Sequence, residues 1–172
     1  MATVRFAIPD EQAGVTLKEA GDALTALFAL DVHMEHHLAW LAAAAEAFGK
    51  GPDLDDERTR DARAVANAQT DRMRALRSEL AELAADADAM LPEGEARTAD
   101  IVREHEMPVL PDTLGPAELM LVERSFSAGM ARCVHNASMA LRPLRRRLLT
   151  FGDDESRMLA ERVDAFLAAV HS

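Results

Sequence analysis

From Leu17 to Phe48 an apolar or small residue returns every three or four positions, through Leu17, Ala20, Leu24, Leu27, Asp31, Met34, Leu38, Leu41, Ala45 and Phe48. Spacing of that kind is the seam of a long helix packed lengthwise on other helices. One member of the seam, Asp31, is a carboxylate and requires a polar partner.

Thr16-Leu17-Lys18-Glu19 has the spacing of a capping box, and Gly49-Lys50-Gly51-Pro52 ends the pattern, so the first helix is predicted over 17–48. A second helix is expected from about Asp55 to Leu91, with a stripe through Ala62, Ala66, Gln69, Met73, Leu76, Leu80, Leu83, Ala87 and Met90, ending at Pro92-Glu93-Gly94. The short turn makes it antiparallel to the first. Counting outward from the Gly-Pro turn sets Gln69 beside Asp31, where one hydrogen bond would satisfy both.

Residues 92–116 read as a connector holding one short helix to about Glu106, followed by Met107-Pro108 and Pro111-Asp112 turns. A third helix spans roughly Ala117 to Leu149, and Pro143 is expected to kink or break it. After Gly152, Asp153 can cap a fourth helix from about Asp154 to Val170, with Leu159, Val163, Phe166 and Val170 facing inward. The expected fold is one all-α domain, a four-helix bundle with a short connecting helix.

Composition agrees with helix. The chain is 49% hydrophobic but only 4% aromatic and has no Tyr, and 172 residues suffice for one domain with a real core. A net charge of −11 argues against non-specific binding to nucleic acid. The local basic run of Arg142, Arg145, Arg146 and Arg147 reads as cations complementing the last turn of a helix. A single cysteine, Cys133, excludes an intrachain disulfide framework and a cysteine-rich zinc site. The start carries no sustained apolar core, and nowhere do 18 apolar residues run together. The expectation is a soluble cytoplasmic protein with no membrane span, although a processed exported form would look the same.

The densest chemistry lies in Asp31-Val32-His33-Met34-Glu35-His36-His37, which holds three of the six histidines. On a helix His33, His36 and His37 share an arc of about 100°. His33 and His37, at i and i+4, can chelate one ion, with His36 as an alternative ligand and Glu35 or Met34 secondary. Imidazoles suit copper, zinc, nickel or iron, and thioethers such as Met34 and Met130 select Cu(I). No Glu-x-x-His of a di-iron centre and no His-Glu-x-x-His occurs. Nucleophile arrangements, phosphate-cradling glycine loops and paired catalytic carboxylates are missing as well, so no enzyme is expected.

In the second half of the chain, Cys133 and His135 lie about 200° apart on a helix and cannot readily serve one ion. Cys133 shares a face with Met130 and Ala137 that reads as core, while His135 and Met139, at i and i+4, form a weaker candidate pair. The first helix also has a second, weakly apolar side made of Ala26, Ala29, Trp40, Ala43, Ala44 and Ala47, which something should cover. That side supports an alternative to metal binding, a non-enzymatic interaction module that pairs copies of the chain or docks a partner through helix 1.

His33-Met34-Glu35-His36-His37, followed after the Gly-Pro turn by Ala62 to Gln69 and then Met73, Leu76 and Leu80, resembles a ferritin-like helical family known as domain of unknown function 305, whose helices carry Met-x-x-His-His followed by a Gln-containing helix. A second set, with Phe126, Met130, Cys133, Ala137 and Met139-Ala140 before Leu159 to Val163, looks like a degenerate copy of the same unit. The resemblance divides the chain into unit one at about 16–91, the connector, and unit two at about 117–172. It implies a ferritin-like bundle, and, because some members are associated with copper handling, binding, storage or sensing of copper by His and Met. This sequence departs from the pattern at His33, where the family has Met, and at Cys133-Val134, where paired histidines would stand.

Overall fold

The computed structural model describes residues 8–49, 57–90 and 116–171, with side chains given outside 43–49, 57–63, 65–66 and 116–123. A 3-10 turn at Asp10–Gln12 leads into α1, Ala13–Gly49. The remaining helices are α2 at Glu57–Asp88, α3 at Pro116–Phe151 and α4 at Asp154–His171. Among the described residues there is no strand, so the chain is all-α. The expected connector helix, the Lys50-Gly51-Pro52 part of the turn and the seam positions Ala45, Phe48, Ala62 and Ala66 lie outside what is described.

α1 begins about one turn before the capping box. Thr16 is fully buried inside the helix, where its hydroxyl donates to the Gln12 carbonyl at 2.7 Å. Glu19 turns to Arg147 of α3, accepting from Nε at 2.6 Å and from Nη2 at 3.0 Å. The Thr-x-x-Glu spacing therefore joins two helices instead of starting one.

Side-chain contacts fix the helix directions. Glu19 meets Arg147 and His33 meets Phe126, so α1 and α3 run antiparallel. Arg145 meets Asp164 at 2.5 Å and Ser138 meets His171, so α3 and α4 do too. The short link from α1 to α2 reverses the chain as well. α1 packs on α2 and α3, α4 packs on the same two, and the pairs α1/α4 and α2/α3 stand diagonally. α2 and α3 consequently point the same way.

The core is the inward stripe of all four helices: Leu27, Leu30 and Met34 from α1, Leu80 and Leu83 from α2, Leu141, Leu144 and Leu148 from α3, and Val163 and Phe166 from α4. Every inward residue expected of α4, namely Leu159, Val163, Phe166 and Val170, is buried. Gly152 ends α3 at φ 74°, a conformation that glycine adopts without strain. Asp153 then caps α4, its Oδ2 accepting the Ser156 amide at 3.0 Å.

Several expectations are corrected. Asp31 does not meet Gln69; it takes both ends of the Arg77 guanidinium, at 2.7 and 3.2 Å, about two turns further along α2. The gap between α1 and α2 is centred beyond the Gly-Pro pair, and each residue by which the centre moves displaces the facing partner by two. α3 passes through Pro143 unbroken. The basic run reaches sideways, with Arg145 on Asp164 and Arg147 on Glu19, rather than toward the α3 terminus. On the second side of α1, Trp40 is 2% exposed with its ring 6.2 Å from that of Phe126 on α3, while Ala29 is exposed and Ala43, Ala44 and Ala47 lie outside the described side chains.

α4 has 18 residues against 37, 32 and 36 in α1, α2 and α3. At 1.5 Å per residue it extends about 27 Å, roughly half the length of α3. It stops near Ser138, where its last residue His171 makes contact. Beyond that level no α4 stands between α2 and α3.

Candidate functional site

The histidine cluster sits where α1 crosses the N-terminal half of α3, and Phe126 organises it. The His37 ring stacks on Phe126 at 4.8 Å between centroids and 3° between planes, and the His33 ring lies tilted at 5.7 Å. His33 Nε2 is 2.9 Å from the Phe126 carbonyl oxygen. A carbonyl only accepts, so Nε2 carries the proton and Nδ1 is left as the acceptor of the neutral ring. Burial holds the His33 pKa below 6.5; the hydrogen bond to Phe126 opposes that, and neighbouring His37, His36 and Arg132 add to it.

Gly129 makes this packing fit. A Cβ there would stand 2.5 Å from His33 Cε1 and 3.2 Å from both ring nitrogens. The imidazole thus occupies the space of a missing side chain on α3. An isolated glycine inside a helical pattern is the sequence trace of such a contact, and it is the signal through which His33 could have been assigned a packing role.

The other expected ligands are dispersed. Met34 is fully buried in the core, Glu35 is exposed and stands 4.0 Å from Arg77, and His36 is half-buried. Among the described residues no group of three or more His, Cys, Asp or Glu is placed to hold a metal ion. The structure therefore brings His33 and His37 together on Phe126, with the Nε2 of His33 committed to a carbonyl. Cys133 is a free, half-buried thiol whose pKa is pushed up by burial, with Arg132 opposing. It behaves as a small apolar residue of the core edge.

The larger feature is a cleft of 510 Å3 at the level where α4 ends. Its walls are Gln69, Arg72, Met73 and Leu76 from α2 and an eight-member stretch of α3 from Ser127 to Arg142; Val170 and His171 of α4 form one end and His37 of α1 the back. Among the described residues, the cleft opens between α2 and α3 beyond the level of His171. Met73 and Val134 are buried, whereas Met139 is 56% exposed.

The electrostatics of this cleft differ from those of the chain. The sequence has 30 Asp and Glu against 19 Lys and Arg, yet among the described residues the titratable groups lining the cleft are Arg72, Arg142, His37, His135 and His171. At the lower end Ser138 donates to the Val134 carbonyl at 2.9 Å and lies 3.2 Å from His171 Nε2. The upper end gathers Gln69, Arg72, His37 and Ser127 from three helices.

Sequence reasoning located His37 but treated it as one of a ligand pair, and it did not anticipate Gln69, Arg72, Ser127, Ser138 or His171 as neighbours in one cleft. No family model, no curated protein and no solved structure matches this chain.

Proposed function

We propose that this chain is a non-catalytic binding protein, built on a ferritin-like bundle, that takes a small ligand into the cleft between α2 and α3. The observation that carries this reading is the cleft itself. Its 510 Å3 falls within the roughly 300–1,000 Å3 of small-molecule sites, and it combines apolar walls with a few converging polar groups. The ferritin-like assignment is supported by the parallel course of α2 and α3, as in four-helix bundles that are not simply up-and-down.

A ligand set screened by thermal shift tests it. At least one small molecule should raise Tm of the native chain and fail to do so in Ala131→Phe, which adds a ring to the cleft wall at an exposed position. Equal shifts in the two proteins, or none in either, would overturn the assignment.

A second reading, a transition metal with copper first, is favoured by one observation. His37, His135 and His171 line the same cleft as Met73, Met130 and Met139, a mixture of borderline and soft donors suited to copper. In this reading His37 serves from the cleft and His33 does not serve at all. Metal content after copper challenge should fall in His37→Ala/Met130→Ala and be unchanged in His33→Ala; the reverse pattern would restore the His33 and His37 pair. Homo-oligomerisation through helix 1 would have to use its remaining exposed side, around Val15 and Ala29, because Trp40 is enclosed within the chain.

A further inference from the structure

We infer that the outer face of α3 is a docking surface for an anionic lipid membrane, on which the helix lies lengthwise with its arginines at the head groups. The face is a second site, independent of any ligand in the cleft.

The sequence sets the charge. From Arg124 to Phe151 the chain holds six arginines and no Asp or Glu, inside a protein of net charge −11. The fold then sorts those arginines into two groups. Arg145 and Arg147 turn sideways onto Asp164 of α4 and Glu19 of α1, and so neutralise carboxylates that flank α3. Arg124, Arg132, Arg142 and Arg146 are exposed, and among the described residues none of the four forms an ion pair. At 100° per residue they lie within about 80° of arc, and from first to last they extend about 33 Å along the axis. α3 is continuous through Pro143, so the stripe keeps to one side over that length.

Met139 and Leu149, two of the few large apolar side chains exposed among the described residues, fall on the same face when the arc is widened to about 100°. Cations interspersed with exposed apolar groups on one side of a helix suit the interface of a bilayer. The charges meet anionic head groups and the apolar side chains reach the acyl boundary.

A nucleic acid shares the negative charge of such a membrane, but it presents phosphates at fixed spacing and a long-range field against which the net −11 counts. The four arginines follow one another at irregular intervals of eight, ten and four residues. Lipid head groups diffuse laterally and can gather beneath an irregular row of cations. Carboxylates on the far side of the bundle stand at least one helix diameter further off, about 10 Å, which is the Debye length at 0.1 M salt, so they oppose the approach only weakly.

Cosedimentation of the full chain with vesicles tests the face. The probes are phosphatidylcholine and phosphatidylglycerol in equal parts, and phosphatidylcholine alone, at low and at physiological ionic strength. The chain should bind the mixed vesicles and not phosphatidylcholine, and salt should weaken the binding. Arg132→Gln/Arg146→Gln should weaken it by about 25-fold, at about fivefold per arginine. Arg74→Gln/Arg157→Gln removes the same charge from α2 and α4 and should change it far less. Met139→Ser/Leu149→Ser should weaken it while leaving its salt dependence in place. All six positions are exposed, so the variants should fold, and circular dichroism checks this.

No binding to the mixed vesicles would overturn the proposal, and so would equal losses in the two arginine pairs, which would make net charge the cause. Binding to duplex DNA or to polyglutamate, offered as separate probes, in place of vesicles would also overturn it and reassign the face to that partner. Unchanged affinity in Met139→Ser/Leu149→Ser would overturn the lengthwise pose, which seats both side chains in the lipid.

Discussion

The contact between His33 and Gly129 is a knob meeting a hole with no side chain in it, and its energetics can be separated from helix propensity. Gly129→Ala should destabilise the chain by about 1–3 kcal/mol, because the new methyl must displace the ring and its bond to the Phe126 carbonyl. In a His33→Ala background the same change should be neutral or stabilising by about 0.5–1 kcal/mol, the usual gain of alanine over glycine in a helix. Chemical denaturation of the four proteins of this cycle measures the coupling, and equal effects in both backgrounds would refute it. The proton equilibrium of His33 supplies a second expectation. Burial holds its native pKa below 6.5, so between that lower value and 6.5 the unfolded chain binds more protons than the native one. Stability from the neutral ring is complete above 6.5, declines as pH falls through 6.5, and levels off below the native value. A Tm series from pH 8 to 5 should accordingly flatten in His33→Gln, which keeps a donor for Phe126; an unchanged slope would assign the pH dependence elsewhere. The sequence displayed the residues of this pair but not their meeting. Three histidines on one arc suggest ligands, and only the approach of α3 turns His33 into a packing element and His37 into a stacked ring.

Helices α1 to α4 were legible as elements because their stripes are long and their ends are marked by Gly, Pro and Asp. Their register was not. The Asp31 partner depends on where the turn is centred, and the motif used to place it, Gly-Pro, is not the centre of the gap between Gly49 and Glu57. Capping chemistry is likewise ambiguous in sequence: Thr16 and Glu19 have the cap spacing but lie within α1, whereas Asp153 performs the capping role expected of it. Burial pushes the Asp153 carboxyl up, but hydrogen bonds from the Ser156 region prevail and hold it below 3.8. Asp153→Ala should therefore cost about 1 kcal/mol at neutral pH, seen as a lower denaturation midpoint. The difference from the native protein should shrink as pH falls through the native pKa of the carboxylate, because that contribution is present above 3.8 and lost on protonation. A constant difference down to acid pH would mean that Asp153 acts through packing alone. Pro143 lies within an unbroken α3. A long helix held on two neighbours tolerates the loss of one hydrogen bond that would break an isolated one.

At the scale of the molecule, the number and class of helices followed from periodicity, but the cleft did not, because it is a property of unequal lengths and no single residue announces it. Helix α4 ends where α2 and α3 go on, and the two ends of the bundle are consequently unlike. One end has four helices around a continuous core with Leu144, Leu148, Val163 and Phe166 fully enclosed; at the other, among the described residues, α1 packs on α2 and α3 without a fourth helix beside them. The consequence appears in how backbone amides trade their protons with solvent. Amides of α3 from Leu141 to Leu148, and of α4 from Leu159 to Phe166, should exchange only when the whole chain opens. Those of α2 around Gln69 to Met73 and of α3 around Ser127 to Ala131 should exchange through a smaller, local opening with a lower free energy. Hydrogen-exchange mass spectrometry along a shallow denaturant series separates the two classes. A uniform protection along α3 would mean that its two halves rise and fall together despite the missing half-helix, and a graded one would mark the open end as the part of the molecule free to adjust its width.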